Sequence, residues 1–200
     1  MTSSLVGSEM CIRDSFYTTH PNEEPIKGIK KMKQTDNFKF DEANVMNELV
    51  YRNLSEDEKR QICAWKYGGE YDLYNLPSYE EMQVRQIGFM NPKSEKNYYG
   101  FWDESILVGF VNILEEKEEI FIGIGVNPDL CNKHYGQRML LITYEISKKL
   151  YPDKPLYLEV RTWNIRAIKC YQKAGFRIDG QAYELTTGIG TGTFYRMIRE

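Results

Sequence analysis

The chain is poor in the residues that build metal centres and disulfide frameworks. Among 200 residues there are four cysteines and two histidines. Cys11, Cys63, Cys131 and Cys170 stand far apart with no CxxC pair, and neither His20 nor His134 lies at metal-ligand spacing from a thiol or another imidazole. That excludes a zinc finger or ribbon, gives no metal site, and predicts reduced thiols and a cytoplasmic compartment. Long apolar runs are also missing: none approaches the roughly 20 residues that span a bilayer. Asn53-Leu-Ser55 fits a glycosylation sequon, but without a secretion signal it is read as chance. There is no excess of positive charge either. A net charge of -3 argues against a nucleic-acid or anionic-membrane partner, each of which normally demands a basic surplus. Oligomeric state leaves no trace in the sequence.

What is present describes a globular chain. An apolar fraction of 42% and a charged fraction of 28% are ordinary for a folded domain, and the length suffices for one core. The first 15 residues lack the basic and apolar regions of a signal peptide, and they resemble a translated adapter scar. Residues 16–45 are polar, with one short alternating run at 26–32. The expectation is a non-native or disordered leader over residues 1–45, a native start near Met46, and one domain over 46–200.

Regular patterns begin just after Met46, with no internal repeat. A short strand is predicted over residues 49–53, followed by the capping box Ser55-Glu-Asp-Glu58. Its helix carries Ile62, Trp65 and either Cys63 or Lys66 on one face and stops at Gly68-Gly69. A helix is predicted over residues 78–89 after Pro77. Strands at 98–102 and 106–114 form a hairpin, and a third consecutive strand spans Ile120–Val126. The next helix shows Met139, Ile142, Ile146 and Leu150 at spacings of three and four. Leu156, Leu158 and Val160 alternate with Tyr157 and Glu159 as a strand, and a helix over 164–174 buries Ala167, Ile168, Tyr171 and Ala174. Closing strands are predicted at 176–185 and 193–198. The order β-α-α-β-β-β-α-β-α-β-β predicts an α/β fold, a mixed sheet with helices on both faces. Gly188-Ile-Gly-Thr-Gly192 imitates a dinucleotide loop, but no helix follows it, so a hairpin loop is the reading.

The junction Cys131-Asn132-Lys133-His134-Tyr135-Gly136-Gln137-Arg138 joins the strand ending at Val126 to an amphipathic helix. A helix start offers unpaired N–H groups and the positive end of the macrodipole, which suits a diphosphate. Gly136 permits close backbone approach, and Lys133 and Arg138 add positive charge. Downstream, Asn164, Ala167, Tyr171, Gly175 and Phe176 follow the strand in the spacing N-x-x-A-x-x-x-Y-x-x-x-G-F.

These two segments, in this order, resemble the GNAT family of acetyl-CoA-dependent N-acetyltransferases, closely over residues 120–176 and in element order over 49–200. The resemblance implies the GNAT-like fold and acetyl-CoA as cosubstrate. It implies that the strand ending at Val126 splays from the strand at 156–160, and that Val126 pairs with the pantetheine arm like an added strand. The amides of residues 131–138 would hold the pyrophosphate, Asn164 would bond the pantetheine, and Arg166, Lys169 or Lys173 would lie near the 3′-phosphate. The loop departs from the family pattern: Cys131 stands where Arg or Gln is usual, and His134 replaces the first glycine. Because the phosphate contacts are mainly backbone, the turn survives if His134 enters the left-handed region, which histidine does more readily than β-branched residues.

By the same resemblance Tyr171 protonates the leaving thiolate; a phenol of pKa about 10 matches a thiol of similar basicity. The general base stays open among Glu, Asp, Tyr and ordered water. Glu70, with Asp72 in the acceptor-side region, is the first to test. The tyrosine- and acid-rich stretch from Glu70 to Glu81 is either an aromatic, anionic pocket for a cationic amine or a solvated loop and helix. The expected activity is transfer of acetyl to a primary amine of a small molecule or protein by direct attack. The alternative is an acetyl-CoA-binding sensor or interaction domain without effective turnover.

Overall fold

The computed structural model describes Met10–Cys11 and residues 49–200, so the expected leader and the start near Met46 lie almost wholly outside the described residues. Nine strands form one sheet: β1 (Met10–Cys11), β2 (Val50–Asn53), β3 (Tyr98–Asp103), β4 (Ile106–Glu115), β5 (Ile120–Val126), β6 (Leu156–Arg161), β7 (Arg177–Ile178), β8 (Tyr183–Thr187) and β9 (Gly190–Arg199). Four α-helices accompany them among the described residues: α1 (Glu56–Ala64), α2 (Tyr79–Arg85), α3 (Tyr135–Leu150) and α4 (Ile165–Lys173). The sheet order is β2-β3-β4-β5-β6-β9-β7, with β1 against β5 and β8 against β9. All these pairings are antiparallel except β5 with β6.

Alternation along the strands sorts side chains into two cores. Val108, Val111, Ile122, Ile124, Leu158 and Val160 pack with Met139 and Leu140 of α3 and Ala167 and Tyr171 of α4. Leu107, Phe110, Tyr98 and Trp102 pack with Ile62 and Cys63 of α1 and Tyr79 and Met82 of α2. The expected mixed sheet with helices on both faces is therefore observed. Two glycines allow the layers to close. A Cβ on Gly109 would stand 2.5 Å from the Gly125 carbonyl oxygen and 2.7 Å from Met139 Sδ of α3, and one on Gly125 would stand 2.5 Å from the Phe110 ring.

Several element ends differ from expectation for tertiary reasons. The capping box at Ser55 and Glu58 is present, yet α1 stops at Ala64 rather than at the glycines. Trp65 takes an extended conformation and turns its ring onto Phe110 at 6.2 Å. α2 ends at Gln86, which is left-handed, so that Phe89 enters the core edge-on to Tyr98 and Phe110. On α3 the buried stripe is Gly136, Met139, Leu140, Thr143, Ile146 and Ser147. Leu150, expected inside, is 39% exposed beyond the last packed turn, while the Thr143 hydroxyl is satisfied by the Met139 carbonyl at 2.8 Å. The strand expected at 176–185 is broken into β7 and β8 around Gly180, whose φ is +78°. The Gly188–Gly192 stretch is a hairpin as expected but tighter, with Thr187 already opposite Gly190.

Candidate active site

β5 and β6 are hydrogen-bonded only at Ile120–Leu156 and Phe121–Tyr157. β6 continues alongside β9 as far as Arg161–Phe194, so β5 and β6 part over their C-terminal halves. On this seam the backbone of Met10–Cys11 pairs with Gly125 and Ile124 of β5. The outer half of β5 is thus an edge that accepts an extended segment.

At the end of that edge the chain turns into α3. The Asn127 side chain accepts from the Asp129 N–H at 3.0 Å and opens a short 3-10 turn, Pro128–Leu130. Asn132 and His134 both have φ of +63°, the left-handed conformation in which asparagine and histidine are among the tolerated non-glycine residues. His134 is the N-cap of α3 and makes no side-chain capping bond. The first N–H groups of α3, from Tyr135, Gly136 and Gln137, therefore have neither an intrahelical partner nor one in the His134 side chain. Gly136 is buried and Asn132, Lys133 and His134 are exposed.

The other loop side chains are occupied structurally. The Tyr135 hydroxyl donates to Asp103 at 2.8 Å, and that bond raises its pKa. The Arg138 guanidinium lies 3.6 Å from the same carboxylate. Gln137 donates to the Lys173 carbonyl of α4 at 3.4 Å, and the Cys131 thiol lies 3.5 Å from the Asn127 carbonyl oxygen. The loop offers a ligand its main-chain donors at a helix start, which fit a diphosphate, beside the exposed Lys133 and His134 side chains.

α4 is placed by Asn164. Its side-chain oxygen accepts from the Ala167 N–H at 3.1 Å, and its Nδ2 lies 3.5 Å from the Tyr74 hydroxyl. Both Asn164 and Ala167 are fully buried. Tyr171, two turns on, is also fully buried in the core that holds Ile124 and Val126. Its carbonyl accepts from Phe176 N–H at 2.9 Å, and Gly175 with φ of +88° makes that turn. Val126, Ala167 and Tyr171 thus belong to one core cluster, and Asn164 caps the helix that carries the last two. Glu70 sits exposed in the 3-10 segment Gly69–Tyr74, beside Tyr71.

Three residues with parts in this region, Tyr67, Trp163 and Glu159, escaped sequence reasoning. Tyr67 is clamped through its own N–H and C=O by Asn75, at 2.6 and 3.1 Å, and its hydroxyl donates to the Val126 carbonyl at 2.8 Å. Burial pushes its phenol far above the ordinary range. Trp163 stands 5.5 Å from Tyr71 and 6.0 Å from Tyr74, ring to ring. Arg166 lies with its guanidinium 5.0 Å over the Tyr71 ring. Glu159 is buried on β6 and accepts from the Tyr183 hydroxyl. Only strand parity offered a signal for Glu159; the others are positioned by loops.

A mixed sheet whose one parallel pair parts beside an uncapped helix start defines the class of acyl-CoA-binding transferase folds. The sequence model of the acetyltransferase (GNAT) family matches residues 60–176, and the chain belongs to that family, using acetyl-CoA as its acetyl donor. It is similar in fold to a GNAT-family acetyltransferase from Bacillus anthracis, with 18% identity, 76% of this chain and 93% of that one covered, and a TM-score of 0.61. It is similar also to spermidine N-acetyltransferase from Vibrio cholerae in complex with CoA and spermine, at 17% identity, 76% and 94% coverage and a TM-score of 0.61. An aminoglycoside acetyltransferase in complex with coenzyme A and kanamycin gives 18% identity, 76% and 94% coverage and a TM-score of 0.59. Among curated proteins none matches the chain by sequence. No helix among the described residues is long and apolar enough to cross a membrane.

Proposed function

We propose that this N-acetyltransferase moves the acetyl group to a primary amine of a small molecule or protein by direct attack, without a covalent enzyme intermediate. The observation that carries the reading is the seam: an open edge of β5 leads straight to uncapped N–H groups of α3, with Tyr171 of α4 buried beside it. The backbone around Val126 receives the pantetheine arm as an added strand, residues 131–138 hold the pyrophosphate, and Asn164 and Ala167 fix the start of α4 against it. Tyr171 delivers its proton to the departing thiolate. The base that relieves the ammonium of its proton is a carboxylate, with Glu70 at the exposed rim and Glu159 buried on β6 as the two to compare. The left-handed His134 supports acetyl-CoA binding, because it keeps the turn at the start of α3 without a glycine.

Solved proteins of this fold hold amines as different as spermine and kanamycin, so the acceptor is sought among cationic small molecules first and peptides second. The reading also takes residues 46–200 as the acetyltransferase domain and the cytoplasm as its compartment. The test is CoA release from acetyl-CoA across an amine panel, with acetyl-CoA binding measured by calorimetry. Binding without turnover on any amine refutes the transferase reading in favour of the sensor, and a burst of CoA without acceptor refutes direct attack.

A further inference from the structure

The face of the sheet turned away from α3 and α4 is lined mostly by rings. Tyr98 and Phe110 lie in the core shared with α1 and α2, and Phe121 stands 5.4 Å from Tyr157, ring to ring. Two polar side chains interrupt this layer: Asn112 of β4 and Glu159 of β6, which are 2% and 5% exposed. Strand parity puts them there. Val111 and Ile113 flank Asn112, Leu158 and Val160 flank Glu159, and all four neighbours belong to the opposite core. An amide and a carboxylate among rings weaken such a layer rather than build it.

Between the two lies a residue with no side chain. Asn112 is paired with Tyr98 of β3 on one side and with Gly123 of β5 on the other. Gly123 is two residues beyond Phe121, the last residue of β5 to pair with β6, and Glu159 is two residues beyond its partner Tyr157. Tyr98, Asn112, Gly123 and Glu159 thus form one row across the sheet, at the point where β5 and β6 begin to part. The β4–β5 register runs through Gly123 without a shift, so this glycine makes no bulge. Its other use inside a strand is to let a ligand or another backbone come close. Strands two apart lie roughly 10 Å from each other, which leaves room over Gly123 for a small head group. On the β9 side Glu159 accepts from the Tyr183 hydroxyl. Arg196, opposite it, carries its guanidinium to Glu119 and Asp179. The Arg161 guanidinium lies at the Gly190 and Thr191 carbonyls of the β8–β9 hairpin.

We propose that this slot holds the ammonium group of the acceptor, with the Glu159 carboxylate and the Asn112 side-chain oxygen each taking an N–H over the bare Gly123. The inference rests on the acetyltransferase reading and deepens it by naming what receives the amine. In that reading the pantetheine arm runs from the α3 start past Val126 and along β5, so its acetyl end arrives at the row of Gly123. Tyr171 lies in the core on the α3 and α4 face. The amine and the proton donor therefore stand on opposite faces of the splayed pair, and the amine reaches the thioester carbon without displacing the acid. Glu159 supplies the opposite charge through a charge-assisted bond, and the surrounding rings favour a cation. Asn112 adds a demand for a second N–H. The slot thereby selects primary amines, because an N-methyl group would take the place of one of the two bonds.

The experiment compares wild type, Glu159→Gln and Asn112→Leu. Acetyl-CoA affinity is measured by calorimetry, and KM and kcat are measured for benzylamine, tyramine and spermine, each against its N-methyl counterpart. Both variants are expected to bind acetyl-CoA within about twofold of wild type. Glu159→Gln raises KM for the primary amines about ten- to a hundredfold, and Asn112→Leu raises it about tenfold with kcat little changed. Wild type prefers each primary amine to its N-methyl counterpart, and Asn112→Leu narrows that preference, which a merely structural asparagine would not do. The wild-type preference needs no variant, so it decides the matter even where a substitution unfolds the chain. Equal use of primary and N-methyl amines by wild type, unchanged KM in both variants, or acetyl-CoA affinity falling in step with KM each overturn the proposal. A wild-type protein that binds no acetyl-CoA, or that releases CoA with none of the amines, instead refutes the acetyltransferase reading itself.

Discussion

The Tyr67 hydroxyl donates to the Val126 carbonyl across 2.8 Å, tying the segment after α1 to the last residue of the splayed strand. Burial holds that phenol protonated far beyond its ordinary range, so the donor persists at any pH at which the protein is folded. Tyr67→Phe takes this donor from a buried carbonyl and is expected to cost about 1–3 kcal/mol in urea unfolding. A variant as stable as wild type would mean that the bond does not hold the strand end.

Tyr171→Phe tests the acid. Removing one hydroxyl from the buried ring is expected to leave acetyl-CoA affinity within about twofold and to lower kcat by roughly a hundredfold or more, the range of a lost proton donor. Turnover at the wild-type rate would take Tyr171 out of the chemistry and leave it a packing residue.

Lys59 predicts a pH dependence of stability. It is buried on α1, 2.6 Å from Glu56 and 2.7 Å from Glu95. Burial pulls its pKa down, but hydrogen bonds to the two carboxylates prevail and raise it above 10.5. Glu56 is held below 4.5 by the hydrogen bond from Lys59 and then by that from Tyr79. A raised lysine contributes stability that is whole below its unfolded pKa and lost as pH climbs through the folded one. A lowered carboxylate contributes stability that is whole above its unfolded pKa and lost as pH falls through the folded one. The contribution is therefore complete between about pH 4.5 and 10.5. Lys59→Met is expected to flatten the acid-side loss of the urea midpoint between about pH 5 and 3, and an unchanged slope would speak against this network.

The thiols should differ in reactivity. Burial pushes the Cys63 thiol up to about 11 beside Met82, and Cys170 is buried on α4. Cys131 is partly exposed at the loop. Peptide-resolved alkylation is expected to label Cys131 before the other two, and acetyl-CoA is expected to slow it. Labelling indifferent to acetyl-CoA would detach the loop from the cofactor.

Residues 1–45 carry the fifth prediction. The backbone of Met10–Cys11 pairs with β5 where the pantetheine arm is proposed to pair, so the two compete for one edge. A chain of residues 46–200 is expected to fold and to bind acetyl-CoA at least as tightly as the full chain. Failure to fold would show that the leader belongs to the domain.

Local pattern makes much of the fold legible in the amino-acid order alone. The strand at Ile120–Val126, the α4 motif and the Ser55 cap follow from it, because hydrogen-bond periodicity and capping act within a few residues. Trp65 is legible as buried but not as a helix end, since its conformation is chosen by Phe110, 45 positions along the chain. Leu150 obeys the helical period yet lies past the packed turns, a fact of sheet dimensions rather than of sequence. Tyr67 carries no mark of its place at the end of β5: a loop brings it there, and no periodicity marks a loop. The loop over residues 131–137 poses a single question in sequence, whether His134 can turn, and its φ of +63° answers it.

That angle has an evolutionary consequence. A site made of main-chain N–H groups is not erased by exchanging side chains, so the stretch from Cys131 to Gln137 can drift in composition while its shape endures. The limit on drift is conformational: Asn132 and His134, both at φ of +63°, belong to types that enter this region, whereas valine or isoleucine at either position would bend the turn away. Searches that demand glycine there will overlook chains such as this one, and a motif stated as permitted backbone angles would find them.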